Sequence, residues 1–389
     1  MDKKAVTEVK KLFRKQNCRV DRMRACFVDE NKEKVLKLAE TFLALPEEDL
    51  AKYCEILTKT LSGKIGRNLF NLDFPLEEEK PGGKQEFLYN LEKSELKDEE
   101  ILEDFYDRVI ESCGFPGKYL ILLVHGVYDI PARTSDGIEM DDASDYVYSF
   151  VLCSICPVDL MKEGLCYDGT TFASRSADWA VQKPMLGFLY PAFNDRTPDI
   201  HAALYYAKKG DERYEEMVEN LLGCGLPRAE KEQKNMFGAI VEEALGRGCD
   251  FESVKNIAEA VNEIVEKGKD EDEPPVLVKD DMRRILEDNG ADDDQLKKFD
   301  VIYDEAMGEE KSFLAESVAD TAKLKVKSSN VMLTVKSEVS QILTTKVIDG
   351  QEYLLIPVSD DIEVNGIRIR QTLRQEDEEQ EDEEQEDEE

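Results

Sequence analysis

From Lys32 to Phe42 the apolar residues Val35, Leu38, Ala39 and Phe42 recur at the three- and four-residue spacing of one helical face, which predicts a helix there. A second run, Leu50, Tyr53, Ile56, Leu57 and Leu61, follows Pro46. Glu47 and Glu48 stand in its first turn, where carboxylates favour the positive end of a helix. A third helix is predicted over 97–112, with Ile101, Leu102, Phe105, Val109 and Ile110 on one side. The first third therefore reads as mainly helical. The pattern then changes, because Tyr119 to Val124 (YLILLV) is a short apolar run bounded by Gly117 and Gly126, the mark of a buried strand. Further strands are predicted at Tyr146 to Ile155, at Gly187 to Phe193 and at Ala202 to Tyr206.

Helical spacing returns at Met236, Phe237, Ile240, Val241, Ala244 and Leu245, and again at Val254, Ile257, Val261, Ile264 and Val265, with Gly246 and Gly248 between the two. The run Lys269 to Pro275 (KDEDEPP) has the composition of an exposed linker. Two more helices are expected at Asp280 to Glu287 and Asp294 to Met307. From Lys323 to Ile369 short alternating runs are punctuated by Ile348-Asp349-Gly350 and Val364-Asn365-Gly366, as hairpin turns would be. The expected fold is α+β. It has a mainly helical N-terminal region over 1–115 and, over 116–268, a central antiparallel or mixed sheet packed with two helices, the two regions forming one core. A linker at 269–275 leads to a small helix-plus-β module over 276–370 and a disordered acidic tail over 371–389.

Charge narrows the partners. The net charge is −36, and three Gln-Glu-Asp-Glu-Glu units from Gln375 to Glu389 supply twelve of those charges, leaving −24 on the rest. The fifteen residues from Gln375 hold no apolar side chain and have nothing to bury against the entropy of folding. Phosphate backbones and anionic lipid are repelled by such a body, which disfavours nucleic acid and membrane and leaves a protein as the expected partner. The first 24 residues run the other way, with nine Lys or Arg against Asp2, Glu8 and Asp21. They are read as an amphipathic helix whose apolar side, Val6, Val9, Leu12 and Phe13, docks on the acidic body, with a nucleic-acid arm as the alternative. The acidic tail is a candidate competitor for the same basic segment. No stretch approaches the roughly 20 apolar residues that span a bilayer, the start lacks the apolar segment of a signal peptide, and nine cysteines show no disulfide framework, so a cytoplasmic protein with free thiols is expected.

Candidate chemistry is sparse. Cys153 and Cys156 have the spacing of a zinc knuckle that Cys166 with His125 or His201 could complete, but two strand residues three apart face opposite sides and Ser154-Ile155 holds no turn former. They are read as buried strand thiols. Acidic residues gather at predicted strand ends: Asp129, Asp136, Asp141, Asp142 and Asp145 in one region, Asp195, Asp199 and His201 in another. Asp141, Asp145 and Asp199 are the candidate metal ligands, and His125, Asp129, Asp195 and His201 the candidate acid–base residues. Turn and capping chemistry is the competing account of every one of these aspartates. Ser62-Gly63-Lys64 lacks the remaining P-loop residues, Arg228 stands where a dinucleotide loop after Gly223-Cys224-Gly225 needs glycine, and neither G-x-S-x-G nor H-E-x-x-H occurs. No cofactor is implied.

Several phrases carry a likeness: Tyr128-Asp129-Ile130-Pro131, the stretch from Asp142 through Cys153-Ser154-Ile155-Cys156-Pro157-Val158, Pro191-Ala192-Phe193-Asn194-Asp195-Arg196, and the two terminal turn phrases. From about Asn17 to Ile369 the chain resembles DUF4317, an uncharacterised family of clostridial-type bacterial proteins. The resemblance implies a bacterial cytoplasmic setting and brings no catalytic residue or ligand. The terminal alternation is also similar to the ends of a class of nucleoid-associated proteins, a fold-level analogy only. The expected function is that of a non-enzymatic binding or regulatory protein. The alternatives are an enzyme with an acidic, metal-assisted site and a nucleoid-associated factor using the basic start.

Overall fold

A computed structural model describes residues 1–14, 18–133, 139–167, 169–210, 212–308, 311–357, 362–364 and 366–368, without the side chains of 132–145, 338 and 339. The chain begins with α1 (Lys3–Lys11), β1 (Val20–Val28), β2 (Lys34–Thr41), α2 (Glu47–Thr60), β3 (Leu69–Asp73), α3 (Lys84–Lys93) and α4 (Glu99–Ser112). It continues through β4 (Tyr119–Arg133), β5 (Glu139–Met161), β6 (Gly164–Tyr167), β7 (Phe172–Arg175), β8 (Asp178–Val181), β9 (Leu186–Tyr190), β10 (Ala192–Asn194), β11 (Thr197–Asp199) and β12 (Ala202–Ala207). A short α5 (Glu215–Met217) precedes α6 (Glu230–Leu245), α7 (Phe251–Lys267), β13 (Val276–Val278), α8 (Lys279–Asp288), α9 (Asp293–Met307), β14 (Ser312–Leu314) and α10 (Ala315–Val318). Three hairpins close the description: β15 (Lys323–Lys327) with β16 (Met332–Lys336), β17 (Thr344–Ile348) with β18 (Gln351–Leu355), and β19 (Glu363–Val364) with β20 (Ile367–Arg368).

The central sheet has the order β2-β1-β4-β5-β9-β12-β3, with β8 pairing on β5, and each of these pairings is antiparallel. Alternation sends Tyr119, Ile121 and Leu123 to one face, under Leu91 of α3 and Phe105 and Val109 of α4. The intervening Leu120, Leu122 and Val124 go to the other face, under Val9 of α1 and Leu57 of α2. Both faces are covered, which is why the YLILLV run is apolar throughout instead of alternating. Tyr148 is fully buried, and its hydroxyl donates to the Pro191 carbonyl at 2.7 Å. Tyr148→Phe leaves that carbonyl without its donor, and a loss of about 1–3 kcal/mol is expected in urea unfolding.

Two readings of the N-terminal third are corrected. The helix predicted over 32–42 is the strand β2, and β1, β2 and β3 make this region a mixed one. With β4 holding one edge of β1, its other edge is left with unpaired backbone groups, and β2 satisfies them. The helical spacing of Val35, Leu38, Ala39 and Phe42 is outweighed by that pairing, and Val35 and Leu36 remain exposed.

A third core lies apart from the sheet. Ile240 and Val241 of α6, Ile257 and Val261 of α7, Leu286 of α8 and Phe299 of α9 are buried together. The reading that grouped α6 and α7 with the sheet is thus revised: their buried faces join α8 to α10, and 269–275 runs within this helical unit. At the 349–350 turn Asp349 and Gly350 both have positive φ (52° and 78°), the geometry a two-residue hairpin loop requires.

Candidate functional site

His125 lies on β4 between β1 and β5. Val20 stands opposite Gly126 and Arg22 opposite His125, so Asp21 is an extra residue on β1, and this bulge brings its carboxylate to the imidazole. His125 Nδ1 lies 2.8 Å from Asp21 Oδ1 and Nε2 lies 3.0 Å from Ser149 Oγ. An ionised carboxylate only accepts, so Nδ1 carries the proton and Nε2 accepts from the serine hydroxyl. His125 is 1% exposed while the Asp21 side chain is 46% exposed. Partial burial pushes the Asp21 carboxyl up, and the hydrogen bond from His125, with a backbone hydrogen bond and the nearby Arg22, outweighs it, so the group titrates below its usual range. Ser149 is half-buried and pairs with Val127; Val127 and Val147, two residues along on the same face, are exposed. The row therefore sits where the sheet passes from covered to bare.

The other predicted residues do not join it. Asp129 is exposed, further along the His125 face of β4. Asp195 and Arg196, both at positive φ, make the β10–β11 turn. Asp199 accepts from Asn194 Nδ2 at 2.7 Å and from the His201 backbone N–H at 3.0 Å, and His201 Nδ1 meets Glu79 Oε1 at 2.7 Å on the surface. Between His125 on β4 and His201 at the entry to β12 stand β5 and β9, about 14 Å of sheet at the usual strand spacing. The side chains of Asp141, Asp142 and Asp145, and Asp136 itself, lie outside the described residues. Among the described residues no three His, Cys, Asp or Glu gather as a metal site.

Cys153 and Cys156 are fully buried on opposite faces of the sheet. Burial pushes the Cys153 thiol well up and the Cys156 thiol to about 12, away from the thiolate that zinc requires. A hydrogen bond from Cys54 holds the Cys18 thiol at about 7.

The basic start forms one wall of a cleft. Asp2 caps α1, accepting from the Ala5 N–H at 2.6 Å, and Val6, Val9, Leu12 and Phe13 are buried. Lys3 Nζ donates to the carbonyls of Glu271 at 2.9 Å and Lys269 at 3.3 Å, and Lys4 pairs with Asp272. Glu8 receives both Arg196 Nη1 (2.8 Å) and the Tyr128 hydroxyl (3.1 Å), and Arg196 Nη2 donates to the Pro131 carbonyl at 2.9 Å. The cavity beside α1 measures about 1620 Å³ and is lined from both the sheet and the helical unit, with lysines, arginines and carboxylates mixed along it.

At the other end of the sheet β5 overruns its neighbours. Among the described residues Asp159 to Met161 pair only with β8, and the β6–β7 hairpin extends beyond, exposed on both faces. Leu160, Met161, Leu165 (73% exposed), Tyr167, Phe172 (68%) and Trp179 (54%) face solvent there. The Tyr167 and Phe172 rings lie 5.4 Å apart, and Lys118 Nζ stands 4.5 Å over the Trp179 ring.

Sequence reasoning singled out His125 and missed Ser149 and the role of Asp21, because their conjunction depends on a bulge and a cross-strand register. No curated protein matches the chain. Residues 1–367 match the family model described as "Domain of unknown function (DUF4317)". With nearly all of its length covered by that match, the chain belongs to the DUF4317 family.

Proposed function

We propose that the chain is a binding protein that docks on another protein through the β5–β8 arm. The observation that carries this reading is the group of six large apolar side chains exposed along one protruding arm. Aromatic residues, methionine and leucine at that density are costly to leave in water and are typical of the centre of a protein interface. A two-stranded hairpin in solution is marginal by itself, so a partner that covers β6 and β7 also orders them. The body around the arm is acidic, which selects a partner with an apolar groove rimmed by basic residues and repels nucleic acid and anionic lipid. A cytoplasmic setting fits the nine cysteines, all of them free thiols. For the nucleic-acid alternative, Lys3 and Lys4 are already held by 269–272.

A photo-crosslinking residue placed at Phe172 in cells is expected to trap one heterologous protein. Trp179→Asp is expected to cut the yield at least tenfold, given the 2 kcal/mol or more typical of an aromatic anchor. Association of the purified pair is expected to slow as salt is raised. Crosslinks to lipid or nucleic acid, to a second copy of this chain alone, or in equal yield from Trp179→Asp would overturn the reading.

A further inference from the structure

We propose that Asp21, His125 and Ser149 form a nucleophile relay in which Ser149 attacks activated acyl or phosphonyl groups. The two hydrogen bonds, 2.8 and 3.0 Å, run in series from carboxylate to imidazole to hydroxyl across three adjacent strands. The series fixes the tautomer that leaves Nε2 as a base against the serine proton, the arrangement a serine nucleophile needs. A buried histidine also needs partners merely to satisfy its two nitrogens, and that bland account covers the same two distances. It does not account for where the row ends. Ser149, half-buried, lies at the boundary of the covered face beside the bare side chains of Val127 and Val147, so the nucleophile stands where a reacting group can approach over the sheet while His125 stays enclosed. Proton acceptance is kept dry at His125, and attack happens at the rim.

The surroundings select the substrate class. Val127 and Val147 offer an apolar sill for an acyl chain, and the exposed Asp129, two residues beyond Val127 on the same face, repels anions. The structure therefore fits a neutral or cationic ester or thioester with an apolar acyl group. In the reaction Ser149 Oγ bonds to the carbonyl carbon, its proton passes to His125 Nε2, and the bond to the leaving alcohol or thiol breaks as that group takes the proton from the imidazole. Water then repeats the sequence, releasing the acid and restoring the hydroxyl. Asp21 is a positioning residue, since it acts through His125. The relay does not depend on the arm or its partner.

The experiment uses the full-length folded chain and a fluorophosphonate probe, whose P–F bond breaks as the Ser149 O–P bond forms and whose fluoride leaves to solvent. Peptide mass spectrometry is expected to place the label on Ser149, and Ser149→Ala to remove it. Asp21→Asn is expected to slow labelling by about 10⁴-fold while circular dichroism stays native, the size of effect that loss of the orienting carboxylate has in serine proteases. Asp21→Glu is expected to recover at least tenfold of that loss, which a role limited to stability would not produce. Because Asp21 is half-exposed, these variants keep the test valid even where His125 variants fail to fold. Absence of label on Ser149, labelling of Asp21→Asn at the wild-type rate, or equal loss in Asp21→Glu would overturn the proposal.

Discussion

Gly187→Ala is expected to remove about 3 kcal/mol of stability, the upper range for forcing extra volume into a packed interior. Gly187 lies on β9, opposite Ser154 of β5 and Tyr206 of β12, in the middle of the sheet. A Cβ added there would meet the Cys153 carbonyl oxygen at 2.3 Å and Thr60 Cγ2 at 2.6 Å. The first of these is backbone of a central strand, paired on both sides. The second belongs to the last residue of α2, itself fully buried and held to Ser154 Oγ at 2.7 Å. Neither neighbour has a free direction in which to move, so accommodation requires α2 to lift from the sheet and break the Thr60–Ser154 bond. Urea unfolding followed by far-ultraviolet circular dichroism measures the loss, and an unchanged midpoint would refute the close seating of α2.

Phe299→Ala is expected to cost about 3–5 kcal/mol, and to do so in the helical unit alone. Phe299 is fully buried on α9, with its ring 5.5 Å from that of Tyr303, in a cluster that shares no buried residue with either face of the sheet. Cores that are separate in this way open as separate cooperative units. Thermal unfolding of the variant should therefore split into two steps. Hydrogen exchange should show protection lost over 230–318 first and retained over 119–156. A single concerted transition with uniform loss of protection would show that α6 to α10 are tied to the sheet more tightly than their packing indicates.

Much of the helical part of the fold was legible because capping and period agree. Glu47 and Glu48 do open α2, α4 falls within the predicted 97–112, and α6 to α9 lie where helices were expected. The strands buried on both faces were legible as uninterrupted apolar runs, and Asp349-Gly350 as a hairpin turn. Legibility failed where tertiary pairing decides. In β1 the bulged Asp21 sets two polar residues in succession and Cys26, Phe27 and Val28 follow as an apolar run, so only Arg22 to Ala25 alternates, and β2 carries a helix-like spacing that matters less than the open edge of β1. The site shows the same limit. Asp21 and Ser149 are 104 and 24 residues from His125, and only the bulge at Asp21 and the β4–β5 register bring the three together. The aspartates at strand ends were visible as a cluster in composition, but Asp129, Asp195 and Asp199 are spread along separate strands and turns.

The position of α1 has a consequence for biosynthesis. Its apolar side seats beneath Phe193 and Phe150, and Lys3 reaches Lys269 and Glu271, so a segment made early rests on segments made much later. At about 5–20 residues per second, roughly 10 to 40 s separate the emergence of Phe13 from that of β10. Throughout that interval Val6, Val9, Leu12 and Phe13 form a bare apolar stripe flanked by lysines on the nascent chain. This is a feature that ribosome-associated chaperones bind, so depleting them should lower the soluble yield of the wild-type chain more than that of a chain in which this stripe is made polar.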